Sequence, residues 1–481
     1  MKHAVLHQMN KGDYYGMLDS ISDTTLSVYA PTLESIHAAM EANRITTLWV
    51  MPGCMFSQQI RKEHFDAMDK QVYDTFVPEQ GIRQGRPYGA SISFNRQNAL
   101  KRYLMFPEHR EWKGASKKDK GVWHVPEPQD LLRTINYLQE EYKTDIIWSP
   151  SHVALDRLRE IHRIQERVIQ PLPQEQKEQF TEIARQCCNW IAWTSRQPIT
   201  RKYIVGYDKN AQFLGAAQSV RLGNGGFIET RVLNGIYSPD WEYYPDGDVW
   251  PDKFLSPGFH EYELLDMSES IFNSSGLPCP LDRVKGWAST DLIRCCLKIG
   301  LKIQVTQSIV WPFNLDKPYQ HQYLGTWAKD MWQHRSNLKT LPQYNNEIAR
   351  NNALSTAKLI PNSMIGRFAT DAGEEYEHPD WNRAIVNRAT ANQVYSLNKM
   401  VRDFGIELVL VSKDAFYIQT DEPHPAYAIP GILDHMDEQR GYKFIGMTEM
   451  NESIAAAFQR VDDKRFGVAG VEQEIKRNNN A

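Results

Sequence analysis

Two short apolar runs in this chain each end in an acid. The first is Tyr203-Ile204-Val205-Gly206-Tyr207-Asp208; the second is Leu408-Val409-Leu410-Val411-Ser412-Lys413-Asp414, followed at once by Ala415-Phe416-Tyr417-Ile418. β-Branched and aromatic residues fit a pleated, half-buried surface, so these runs predict strands. A short polar turn between two such runs predicts a hairpin with Asp414 at its tip. An acid at the end of a buried strand is fixed by the strand, and the loop beyond leaves it open to a ligand. After Asp208 the chain makes a tight turn towards Gly215-Ala216-Ala217, a helix or loop.

Between the two acids lie helical patterns. Residues 319–339 carry a long one, with Arg335 and Lys339 four apart and so on one face. A polar turn containing Pro342 leads to a second helix from about 343 to Lys358. Next comes Lys358-Leu359-Ile360-Pro361-Asn362-Ser363-Met364-Ile365-Gly366. Pro361 and Asn362 are expected to disturb the helix there, and Gly366 to permit a close backbone approach or a positive φ. Residues 379–403 predict an amphipathic helix that packs on the sheet. Residues 216–315 alternate β-like runs (226–232, 301–311) with turn residues, and Ser289 or Thr290 caps a helix. Asp246 and Asp248 flank Gly247 without the rest of a calcium loop, so turn chemistry accounts for them.

These stretches resemble, in order, the motifs of family B DNA polymerases, nearest the protein-primed phage and plasmid branch. Asp208, Asn210 and Phe213 are similar to motif A, with Ala211 and Leu214 in place of serine and proline. Lys358, Asn362, Ser363 and Gly366 are similar to motif B, with Ile365 in place of a tyrosine. Ser412-Lys413-Asp414 is similar to the acid-x-acid tip of motif C, with Ser412 in place of the first acid. A rival register puts Asp421 on motif C. Pro423 follows it and leaves no second strand, which favours Asp414. The resemblance covers roughly residues 200–450.

The resemblance implies an α+β fold: a polymerase palm of antiparallel sheet with helices, helical-hairpin fingers, a reduced thumb and a mixed α/β N-terminal domain. The expected segments are 1–195 for the N-terminal domain, 196–315 and 366–450 for the palm, 316–365 for the fingers and 451–481 for a reduced thumb and tail. It implies template-directed addition of dNTPs to a 3′-hydroxyl. Asp208 and Asp414 would be catalytic and hold two Mg²⁺ (or Mn²⁺) ions. Arg335, Lys339, Lys358, Asn362 and Phe213 would bind the nucleotide, with Phe213 excluding a 2′-hydroxyl. Ser363, Gly366, Lys413 and Lys443 would contact DNA. The implied partners are primer-template DNA, dNTPs and a priming or processivity protein, in a mobile-element or phage-like replication context. The alternative is a polymerase-derived, DNA-binding replication-accessory protein with little or no catalysis, which Ser412, Lys413, Ile365 and the short thumb favour. A nuclease would need a further clustered carboxylate.

Residues 1–195 predict strands at 46–51 and 145–148, helices at 33–42, 129–142, 153–165 and 173–188, and an exposed lysine-rich loop at 110–120. Family B polymerases usually carry a 3′→5′ exonuclease here, which needs clustered carboxylates. Strand 46–51 has no acid, so a nuclease-dead or unrelated domain is expected. The net charge of −4 neither supports nor excludes nucleic acid, because a polymerase needs a basic groove and not a basic protein. The six cysteines, four of them in two adjacent pairs, form no CxxC zinc pattern and predict buried thiols in a reducing cytoplasm. The N-terminus is too short and polar for a signal peptide, and no apolar run reaches the roughly 18 residues of a membrane span, so no membrane partner is expected.

Overall fold

The computed structural model describes residues 3–9, 14–19, 25–29, 32–51, 82–84, 91–96, 102–105, 126–143, 150–187, 191–195, 197–209, 211–226, 228–237, 256–265, 277–281, 283–312, 321–340, 347–369, 376–422, 441–463 and 467–479. Its contacts divide into two compact units, Met1–Glu160 with Asp330–Met364, and Ile161–Lys329 with Ile365–Ala481.

The first unit contains a seven-stranded sheet. In chain order its strands are β1 (His3–Gln8), β2 (Tyr14–Asp19), β3 (Thr25–Tyr29), β4 (Thr47–Val50), β5 (Ile82–Gln84), β6 (Ser91–Arg96) and β7 (Arg102–Met105). The spatial order is β3-β2-β1-β4-β7-β6-β5, with β4 parallel to both β1 and β7. Helix α1 (Leu33–Ala42) opens with a capping box between Thr32 and Ser35, and its Ile36 and Met40 join Ala4, Leu6, Leu48, Val50 and Leu104 in one core. Helix α2 (Pro128–Tyr142) buries Leu131, Ile135, Leu138 and Tyr142 at helical spacing. The expected strand 145–148 and the loop 110–120 lie outside the described residues.

Two further helices belong partly to this unit: α3 (Pro150–Ile164) and α7 (Gly325–Thr340), the latter corresponding to the first expected fingers helix. Arg157 of α3 grips Asp330 of α7 with two parallel bonds of 2.8 Å (Nε to Oδ2, Nη2 to Oδ1). On the same helix, His334 Nδ1 lies 2.9 Å from Glu141 Oε1 of α2. Burial opposes the charged imidazolium of His334, but the carboxylates of Asp330 and Glu141 on either side outweigh it and raise its pKa. These polar ties join α7 to the N-terminal helices α2 and α3.

The second unit is built on two antiparallel sheets. The first has five strands: β8 (Ala192–Thr194), β9 (Tyr203–Lys209), β14 (Glu407–Ser412), β15 (Ala415–Thr420) and β16 (Tyr442–Glu449), in the order β16-β9-β15-β14-β8. The second has four: β10 (Glu229–Tyr237), β11 (Gly258–Leu264), β12 (Lys285–Ser289) and β13 (Ile303–Val310), in the order β10-β13-β11-β12. The N-terminal boundary expected at 195 falls inside this unit, because β8 pairs with β14 in the sheet that carries Asp414. Helices of this unit are α4 (Gln174–Gln186), α5 (Gln212–Ser219), α6 (Thr290–Lys298), α9 (Pro379–Phe404), α10 (Glu452–Gln459) and α11 (Gly467–Asn479).

Strand alternation gives the five-stranded sheet two buried faces. One turns Val205, Tyr207, Val411, Phe416 and Ile418 towards Leu292 and Leu297 of α6 and Val394 and Leu397 of α9. The other turns Ile204, Leu410, Ala415 and Tyr417 towards Ile454 of α10 and Val471 and Ile475 of α11. Each such large side chain contributes about 1.5–3 kcal/mol when fully buried. Helix α9 starts with Pro379 in its first turn and stops at Gly405 with φ 62°, as a proline start and glycine stop require. Much of the tail expected within 451–481 is helical, as α11. Val468, Val471 and Ile475 recur at helical spacing within a charged sequence, and the last two are fully buried.

Cys187, Cys295 and Cys296 are buried and Cys279 is partly buried, while Cys54 and Cys188 lie outside the described residues. Among the described residues no helix is long and apolar enough to cross a membrane.

Candidate active site

Strand β9 is second from one edge of the sheet and pairs on both sides, so its last residues are held by two neighbours. Asp208 sits opposite Ala415 of β15 and opposite Lys443 of β16. The β14–β15 hairpin closes through a two-residue turn in which Lys413 adopts φ 57°, the left-handed geometry that a tight hairpin turn demands. Lys413 N–H donates to Ile191 O at 2.9 Å, and Lys209 N–H donates to Asp414 O at 3.0 Å. Asp208 and Asp414 therefore meet at one end of the sheet. Asp421, the rival motif C acid, lies at the opposite end. It accepts from Lys202 N–H at 3.1 Å and pairs with Arg201 at 2.8 Å.

The ring of Tyr417 lies across Gly206, where a Cβ would come within 2.6 Å of it. Only glycine leaves that space. Lys443 Nζ lies 2.8 Å from Asp208 Oδ2, with the lysine side chain 40% and the aspartate 17% exposed. Lys413 is exposed and its side chain belongs to the turn tip. Ala211, with φ 46°, turns the chain from β9 into α5, and Phe213 is half-buried in the first turn of that helix. Asn210 lies outside the described residues.

Among the described residues no cluster of three or more acids, histidines or cysteines could hold a metal. Asp208 and Asp414 suit a hard cation of the Mg²⁺ kind, which uses one or two carboxylates and takes the rest of its oxygens from water and substrate phosphates. The Lys443–Asp208 pair does not bar that use. A part-exposed pair of this sort is worth about 1 kcal/mol or less, and a divalent cation can displace it.

The remaining candidates lie on α7 and on α8 (Glu347–Arg367). Arg335 Cζ and Lys339 Nζ both lie over the Trp332 ring, 5.7 and 5.8 Å from its centroid. Helix α8 runs unbroken through Pro361, against the expected disturbance, although an interior proline costs about 3 kcal/mol. Ile360, Met364 and Ile365 around it are buried, and that packing holds the helix. Gly366 is helical and exposed, with nothing within 4 Å of a Cβ, so neither the close backbone approach nor the positive φ expected of it occurs among the described residues. The unbroken helix instead aligns Lys358, Asn362 and Gly366 at i, i+4 and i+8, all exposed on one stripe. Ser363 Oγ donates to Ile360 O at 2.9 Å, so its hydroxyl serves the helix backbone.

Three residues near the acids had no motif to announce them. Ser412 Oγ donates to Glu472 Oε2 of α11 at 2.6 Å. Tyr417 OH lies 3.4 Å from Glu472 Oε1, and Lys476 Nζ 2.6 Å from the same oxygen. Burial, and then the charges of Glu472, Asp208 and Asp414, hold the Tyr417 phenol far above its usual range, so it stays protonated. The one sequence signal is Glu472 and Lys476 at i, i+4 beside Val471 and Ile475.

The sequence matches no family model and none of the curated proteins. The structure does have solved neighbours. It is similar to phi29 DNA polymerase complexed with primer-template DNA and incoming nucleotide, with a TM-score of 0.52 at 12% identity over 93% of this chain and 85% of that one. The binary complex of phi29 DNA polymerase with primer-template DNA gives a TM-score of 0.52 at 11% identity, with the same coverage. At that identity the likeness is one of fold: this chain has a DNA polymerase-like fold over nearly its whole length.

Proposed function

We propose that the chain is a family B-like DNA polymerase that adds dNTPs to a primer 3′-hydroxyl. The observation that carries this reading is the convergence of Asp208 and Asp414 at one end of the five-stranded sheet, in a chain with the phi29 polymerase fold. Asp208 and Asp414 would hold two Mg²⁺ ions. Such ions lower the pKa of a bound hydroxyl and stabilise charge on a transferring phosphoryl group. Arg335, Lys339 and Lys358 would bind the triphosphate as point charges and forks, and Asn362 would join them. Phe213, on the turn after Asp208, has the bulk to exclude a 2′-hydroxyl. Lys443 would leave Asp208 for primer phosphate when the metals bind. Lys413 at the turn tip would contact the DNA backbone, while Ser363 and Gly366 would line the path of the template.

The test is extension of a labelled primer on a DNA template with dNTPs and Mg²⁺ or Mn²⁺. The parent should extend, and Asp208→Ala and Asp414→Ala should each lose about 10³-fold or more. A parent that binds DNA but extends nothing with either metal leaves the replication-accessory reading, which the Lys443–Asp208 pair and Ser412 favour.

A further inference from the structure

We propose that Glu472 is a positioning residue for the catalytic hairpin: from α11 it supplies, through Ser412, the carboxylate that the hairpin itself lacks. The proposal rests on the polymerase reading and deepens it. Ser412 occupies the place of the first acid of the motif C pattern and is buried, 8% exposed. Its hydroxyl meets Glu472 Oε2 at 2.6 Å, the length of a hydrogen bond to an ionised carboxylate. The other carboxylate oxygen faces Tyr417 OH at 3.4 Å. Tyr417 stands on β15, two residues beyond the strand's first residue, Ala415, which pairs with Asp208. Glu472 thus touches both strands of the hairpin whose tip is Asp414.

The helix that delivers Glu472 is firmly seated. Val471 and Ile475 are fully buried in the cluster that holds Leu410, Ala415 and Tyr417. Near its end, Asn479 fills the space beside Gly446 of β16, where a Cβ would come within 2.1 Å of its amide. Lys476, one turn beyond Glu472, pairs with the carboxylate at 2.6 Å and holds it in place against the hairpin. The consequence is geometric. The turn of the hairpin is short, so fixing Ser412 and Tyr417 fixes the direction of Asp414. Groups that orient a metal ligand in this way matter nearly as much as the ligand, and their loss typically costs 10–100-fold in metal affinity or activity.

The experiment compares the full-length parent with Glu472→Ala, Ser412→Asp and the double variant. Mn²⁺ affinity is read by paramagnetic relaxation, with a dideoxy-terminated primer-template and dNTP bound. Extension kcat and dNTP KM are read beside it. Glu472→Ala should weaken Mn²⁺ binding and lower kcat by about 10–100-fold while leaving dNTP KM near the parent value. Ser412→Asp alone places two carboxylates in contact and should also be impaired. The double variant restores one carboxylate at the hairpin and should return to within a few-fold of the parent. Glu472→Gln, which keeps an acceptor for Ser412 and lets α11 dock, guards against simple unfolding; it should melt like the parent and still bind Mn²⁺ more weakly. If Glu472→Ala matches the parent in both readouts, or the double variant is no better than Glu472→Ala, the contact is only structural and the proposal falls. In that case a parent that extends and an Asp208→Ala that does not leave the polymerase reading standing. A parent that neither extends nor binds Mn²⁺ overturns that reading, and this proposal with it.

Discussion

The two larger sheets of this molecule are alike in plan and opposite in chemistry. Each has a strand, paired on both sides, that organises the rest: β1 in the seven-stranded sheet, β9 in the five-stranded one. Strand β1 reads His3-Ala4-Val5-Leu6-His7-Gln8, and neither its neighbour β4 nor β7 beyond it carries an acid; its other neighbour, β2, ends in Asp19, opposite Ala4. Strand β9 carries Asp208 one residue before its end, with Asp414 brought beside it by a hairpin. At the centre of the first sheet His3 is buried, 2% exposed, with Trp49 Nε1 donating to its Nδ1 at 3.4 Å and Gln139 Nε2 2.6 Å from its Nε2. Burial drives its pKa down to about 4, so it sits neutral. A sheet can support two-metal chemistry only where two carboxylates converge at one strand end, as Asp208 and Asp414 do.

That contrast can be sharpened by acid. The neutral His3 must take up a proton when its sheet unfolds below pH 6.5. Its folded pKa is depressed, so its contribution is full above pH 6.5 and is lost as pH falls to about 4. The loss amounts to about 3 kcal/mol at most. Hydrogen exchange, corrected for intrinsic rate, should accelerate in β1 and β4 across that window, and His3→Gln should flatten the response. If β9 and β15 open first and β1 is unchanged, the buried neutral histidine does not govern the first sheet.

A smaller effect is expected at the acid-bearing end. Lys443→Ala removes a part-exposed pair, so the stability change should be about 1 kcal/mol or less. Freed from its lysine, Asp208 should need less Mg²⁺ for half-maximal extension, while weaker contact with primer raises the primer KM. A Lys443→Ala protein that melts several degrees lower with an unchanged Mg²⁺ requirement would make the pair structural.

Much of the second unit was legible because its signals are local. The hairpin at 407–420, the strand ending at Asp208 and the 26-residue helix α9 follow from periodicity and turn chemistry, and they arise within a few residues of one another. What was not legible depends on distant partners. Helix α8 continues through Pro361 because buried neighbours outweigh a local penalty. Strand β8 is only three residues long and is defined by its pairing with β14 more than two hundred positions away. Helix α11 reads as a polar tail because Val471 and Ile475 are sparse among charges. Its role beside Ser412 has no motif, since the carboxylate comes from 60 positions along the chain. The first unit was legible in its helices and in β4, but not in β1, whose His-rich run carries no strong strand pattern.

One assay addresses the central contrast directly. A 5′-labelled primer annealed to a DNA template is incubated with Mg²⁺ and the parent protein, with and without dNTPs. The account predicts lengthening when dNTPs are present and no shortening when they are absent, because Asp208 and Asp414 would serve synthesis and strands β1, β4 and β7 bring no pair of carboxylates together. Shortening without dNTPs, and no lengthening with them, would contradict it.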